Sequence, residues 1–196
     1  AGTREISVID LPGVLKKLAA IESGGIKEVQ PGIMYSGSFT ALDVPNDLAF
    51  LVDLRRRLKL PGDGPRGVAV VGGTAYVSQY FADSLAAVDL SPEVSPARAV
   101  REIPLGPKPQ LTVQRRGELL FNDATICFQQ WQSCASCHPD ARVDGLNWDL
   151  LNDGMGNPKN NRSMLLAHRT PPAMTEAVRG GAEEAVRSGI THILFA

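Results

Sequence analysis

The chain has 196 residues, 43% of them hydrophobic, and a formal charge of -1. That is ordinary globular composition, enough for one large domain or two small ones. So neutral a balance argues against a nucleic-acid partner, because phosphate binding needs a concentrated excess of Lys and Arg.

The short clusters Arg55-Arg56-Arg57 and Arg115-Arg116 lie beside acidic residues and read as solvated faces. No apolar run approaches the roughly 20 residues that span a bilayer. The chain begins without Met and stops inside the apolar run Ile193-Leu194-Phe195-Ala196, so it reads as a fragment or processed piece.

In chain order, residues 4–11 read as a strand. Leu11, Val14, Leu15, Leu18 and Ile21 then recur at helical spacing. A Gly-rich loop is expected over 23–38, a second helix over 46–57, and a strand over 54–60. Four short strand-like runs follow at 68–71, 75–80, 85–89 and 99–103, broken by Gly72-Gly73, Ala82-Asp83 and Ser91-Pro92. Four strands in about 40 residues is the size of one propeller blade. A partial repeat supports this: residues 4–11 match 84–90, each ending Asp-Leu, and 58–65 match 103–109.

This stretch resembles the blades of bacterial YVTN-type beta-propellers, through Tyr76-Val77-Ser78-Gln79 and its flanking strands. The resemblance implies a partial antiparallel propeller over 1–107, about two blades with a helical insertion at 11–53. An α-helical c-type cytochrome domain would follow over 108–196. The expected fold class is therefore multidomain, all-β then α. Within the second part, helices are expected over 112–121 and 176–189, with a turn at 153–158.

Cys134-Ala135-Ser136-Cys137-His138 is the attachment signature for c-type haem. Two thiols three residues apart on one helical turn point the same way, so both can add to the vinyl groups of one porphyrin. The adjacent His138 then offers an imidazole nitrogen to the iron. A zinc site built on Cys127, Cys134, Cys137 and a histidine is the first alternative, but it lacks a second paired cysteine motif. A thioredoxin-like pair lacks its alternating strand-helix context.

The surrounding residues resemble the first haem segment of bacterial di-haem cytochrome c peroxidases. The likeness rests on Gly117, Leu120-Phe121, Ser133 to His138, Asp144-Gly145 and the later run from Asn160 to Met174, together spanning about 115–180. By that resemblance Met174, 36 residues after His138, occupies the position of an axial methionine. His168 is the alternative sixth ligand, and an open sixth position is the third. The chain departs from the family where Thr175-Glu176-Ala177-Val178-Arg179 replaces His-Asp-Gly-Arg.

Trp131 and Trp148 flank the motif as packing residues or electron relays. Arg142 and Arg162 are candidates for propionate pairing, and Cys127 reads as a buried thiol. Glu118 and Glu176 are acid-base candidates by composition alone.

Three functions stay open. The chain could be part of a di-haem peroxidase-like enzyme whose second haem lies elsewhere, with peroxide as substrate. It could be a mono-haem carrier serving a periplasmic redox partner, or a binding module with a redox-sensing haem. Haem c is attached after export, which implies a periplasmic or cell-surface location.

Overall fold

The computed structural model describes residues 2–24, 38, 40–149, 155–174 and 177–194. Most of the loop expected at 23–38, part of the turn at 153–158, and Glu176 lie outside them.

Strand β1 (Glu5–Ile9) pairs antiparallel with β2 (Arg55–Lys59), from Glu5 opposite Lys59 to Ile9 opposite Arg55. Helix α1 (Leu11–Glu22) opens between them. Its N-cap Asp10 accepts a hydrogen bond from the Gly13 N–H at 3.1 Å, and Pro12 sits in the first turn, where a missing donor costs nothing. The second helix expected over 46–57 does not form. A 3-10 turn (Val44–Asn46) and further turns lead into β2 instead. Here the Asp47 carboxylate takes bonds from Ser38 and from the Ala49 N–H, and Asp53 adopts φ 62°. Such local side-chain bonds compete with the helical ladder.

Strands β3 (Pro65–Val71), β4 (Thr74–Gln79), β5 (Ser84–Asp89) and β6 (Val100–Pro104) form one antiparallel sheet in sequential order. Gly72 and Gly73, at φ 53° and 82°, supply the tight β3–β4 turn that L side chains resist. Period-two alternation buries Ala75, Val77 and Gln79 of β4. These meet Ala86 and Val88 of β5 and Leu58 of β2, with Ile6 and Val8 packed alongside. The two sheets thus share one core. Gln79 is satisfied inside it, its Oε1 accepting from the Gly62 N–H and its amide donating to Ser84.

The arginine clusters are not simply solvated. The Arg56 guanidinium donates to the carbonyls of Ser91, Val94 and Leu90 at 2.9, 3.1 and 3.1 Å, fastening β2 to the loop after β5. Arg57 pairs with Glu5. Arg56→Ala should therefore cost about 2 kcal/mol in a urea titration, since bonds to charged donors contribute about 1.5–3 kcal/mol and three carbonyls lose a partner. Arg56→Lys should recover less than half, because an ammonium lacks the forked donor geometry.

Helix α2 (Val113–Asn122) is capped by Thr112, which accepts from the Arg115 N–H at 3.2 Å. It docks on the four-stranded sheet through stacked cations. Arg66 and Arg115 lie 3.9 and 3.6 Å over the Tyr80 ring, and Glu118 pairs with both. Arg4 also bridges Asp63 and Asp123, at 2.7 and 2.8 Å. Burial pushes the Asp123 carboxyl up, but bonds from Thr125 and Arg4 outweigh it and hold the group below the usual range.

Beyond α2 the described residues form α3 (Cys134–Cys137), the two-residue ladder of β7 (Asn147–Trp148) with β8 (Lys159–Asn160), helix α4 (Ala182–His192) and short 3-10 turns. Helix α4 starts later than expected, after Gly180-Gly181, and Gly189 lies within it rather than stopping it. No helix among the described residues is long and apolar enough to cross a membrane.

The expected fold class does not hold. The strands do not close a propeller: β1–β2 and β3–β6 are separate sheets facing across a shared core. Nor is an α-helical cytochrome domain established for the part after residue 107. Among its described residues the helices are short and loops predominate, and the buried hydrophobic cluster of the described residues lies between residues 58 and 99. Pro107, Pro109, Pro139, Pro158, Pro171 and Pro172 deny the ladder donors that longer helices need.

Candidate functional site

Helix α3 is a single turn, bounded on both sides by sequence. The Ser133 N–H donates to Ser136 Oγ at 3.0 Å, and the His138 N–H donates to the Cys134 carbonyl at 3.0 Å. Pro139 then ends it: the residue before a proline is driven from the helical region, and His138 sits at φ -120°, ψ 64°. The turn therefore presents Cys134 and Cys137 one helical repeat apart, with His138 just past its end.

Both thiols are half-buried. Burial pushes Cys134 up, with a smaller push from neighbouring Cys127. Burial also pushes Cys137 up, and there the Asp144 carboxylate adds to it. Both influences disfavour the thiolate form that a bound metal ion would need. Among the described residues, no group of three or more His, Cys, Asp and Glu side chains is arranged to hold a metal ion. Cys127 is 4% exposed, as its packing role expects.

The His138 ring nitrogen Nδ1 lies 3.3 Å from the Arg142 carbonyl. With the proton on Nδ1 that bond fixes the ring, leaving the Nε2 lone pair free for a metal. Two other segments brace the turn. Asn161 donates its side-chain amide to the Cys137 carbonyl at 2.9 Å, and the Met164 N–H donates to the Ala141 carbonyl at 2.8 Å. From the other side, Gln132 donates to the Ile193 carbonyl at the end of α4 and accepts the Cys137 thiol at 3.9 Å.

Backbone strain is concentrated here. Gln129, Gln130, Asp140, Ala141, Leu166 and Met174 all have φ between 51° and 68°. Each such residue costs on the order of 1 kcal/mol or more and persists only where its surroundings impose it.

The region also leaves apolar surface uncovered. Phe128 is 61% exposed, Trp131 59%, Leu146 57%, Leu165 48% and Leu166 58%. Covering these five would contribute on the order of 5 kcal/mol. Two thiols and an imidazole within five residues are a donor set that fits a porphyrin anchored at 134–138.

The other predicted residues are placed less decisively. Met174 is 38% exposed and follows Ala173, which bridges Arg179. His168 is exposed on the 3-10 turn Ala167–Arg169, and His192 is exposed at the end of α4. Arg142 and Arg162 are exposed. Glu118 is committed to Arg66 and Arg115, away from the cysteines. The bracing roles of Gln132 and Asn161 escaped the sequence reading. Both are neutral amides in loops, and only their proximity to the cysteines pointed to them.

No family model and no solved structure matches the chain. It is similar to the hydrazine synthase subunit gamma of Kuenenia stuttgartiensis, with 38% identity over 73 residues. That stretch is 37% of this chain and 21% of the relative, so the chain spans about a fifth of that protein's length. A peroxidase does not figure in these comparisons.

Proposed function

We propose that this chain carries one covalently attached haem c, bound through Cys134 and Cys137 with His138 as an axial ligand, and that it serves electron transfer in an oxidoreductase. The observation that carries the reading is the one-turn presentation of two thiols, with an imidazole just past the turn whose Nδ1 faces the Arg142 carbonyl. When bound, haem supplies a one-electron couple whose potential depends on its axial ligands. The chain's own residues do the rest. The cysteines would hold the group in place, and the Arg142 carbonyl would orient His138.

The finer reading is a peroxidase-like assembly whose second haem lies outside this chain, acting on peroxide or another small oxidised substrate. The relative is by name a subunit of a hydrazine-forming enzyme, which favours a redox assembly with protein partners. Met174 is the proposed sixth ligand, with His168 as its rival. The protein works after export, in a periplasm or at a cell surface.

Expression in a host with haem-attaching machinery tests this. The matured chain should gain the mass of one haem and give a haemochrome spectrum with pyridine. Met174→Ala should then change the low-spin spectrum, while His168→Ala leaves it unaltered. A colourless product with the mass of its amino acids alone would end the proposal.

A further inference from the structure

Asp144 lies on the loop after the haem-attachment turn and accepts from three side-chain and backbone donors. Its Oδ2 takes the Trp148 indole N–H at 2.8 Å. Its Oδ1 takes the Leu146 N–H at 3.0 Å and the Asn161 side-chain amide at 3.3 Å. The same Asn161 amide donates to the Cys137 carbonyl at 2.9 Å. A single side-chain nitrogen thus joins a carboxylate to the backbone of the residue that would hold the porphyrin. Asp144 is half-buried, and no cation pairs with it among the described residues.

Three donors in fixed directions keep this carboxylate ionised, the Leu146 N–H foremost. The charge lies one side chain from the turn, because the Asn161 amide that it accepts from is the one bonded to the Cys137 carbonyl. A fixed negative charge near an iron centre stabilises the ferric state over the ferrous one, and partial exposure tempers the effect without cancelling it.

We infer that Asp144 is a positioning residue: through Asn161 it holds the 134–138 turn, and its charge biases an attached haem toward the oxidised form. This rests on the haem assignment made above. Trp148 takes part in the same device, because its indole N–H draws charge from Oδ2.

The test is a redox titration of the intact, haem-loaded chain, comparing wild type with Asp144→Asn, Asp144→Glu and Trp148→Phe. Asp144→Asn should raise the midpoint potential by up to about 59 mV, a tenfold gain in the reduced-to-oxidised ratio for one electron. Trp148→Phe strips a donor from the carboxylate, so it should shift the potential the opposite way and by less. Asp144→Glu keeps the charge and should stay near wild type.

A merely structural role would not give opposite signs. Equal potentials for wild type and Asp144→Asn at equal haem load would overturn the inference, as would shifts of the same sign in Asp144→Asn and Trp148→Phe. If Asp144→Asn does not fold, Trp148→Phe decides alone: a potential that stays put or rises overturns it. A colourless wild type overturns the haem assignment itself, and that is seen before any variant is titrated.

Discussion

A chain carrying both Cys134→Ala and Cys137→Ala should leave a haem-attaching periplasm with no covalent haem, while either single variant keeps one. The two sulfurs act independently once the porphyrin lies against the turn. Removing one leaves a single thioether bond and one intact vinyl group, which moves the pyridine haemochrome band to longer wavelength. Removing both leaves only His138 and apolar contact, and denaturing chromatography strips haem held that way.

Cys127→Ala is the discriminating control. A zinc site built from three cysteines needs all its thiolates, so it would lose metal with any one of them. The haem reading makes Cys127 dispensable for attachment, because that thiol is buried and lies outside the turn. Intact mass and the haemochrome band read out all four variants. Covalent haem on the double variant would refute the assignment.

Leu58→Ala should destabilise the paired sheets by about 3 kcal/mol, within the 2–5 kcal/mol found for Leu truncations in cores. Leu58 is 0% exposed and stands where β2 faces Ala86 and Val88, both also 0% exposed. Strands hydrogen-bonded on the pleat cannot move inward freely, so most of the lost volume stays as a cavity. Val68→Ala on β3 is the contrast. Val68 is 67% exposed, so its truncation should shift the midpoint by no more than about 0.5 kcal/mol. Urea titrations followed by far-UV circular dichroism separate the two, and equal effects would refute the placement of the core.

Local pattern was legible in the sequence where short-range physics decides. The helix over 11–22 was readable from apolar spacing, and the strands around Val77 and Val88 from alternation and the Gly72-Gly73 turn. The motif at 134–138, whose attachment role is a proposal, stood out because it needs only five consecutive residues, and the structure shows a single helical turn over Cys134–Cys137. Long-range arrangement was not. A partial repeat suggested blades, yet which faces pack together depends on Leu58 and Leu60 meeting β4 and β5 across 15 to 30 residues, and no local pattern encodes that.

The helix expected over 46–57 failed because Asp47 and Asp53 bend the backbone through bonds and dihedrals that apolar spacing ignores. The site was half legible for the same reason. Cys134, Cys137 and His138 announce themselves, but their supports Asn161, Gln132 and the Arg142 carbonyl come from contacts between loops.

β3 forms one margin of the four-stranded sheet and is seven residues long. Its Val68, Val70 and Val71 face solvent, and its one charge, Arg66, is occupied with Glu118. A row of spare amides beside such side chains invites any passing strand to zip on. Crowding the purified chain thus raises the hazard of clumping from the native state through this margin.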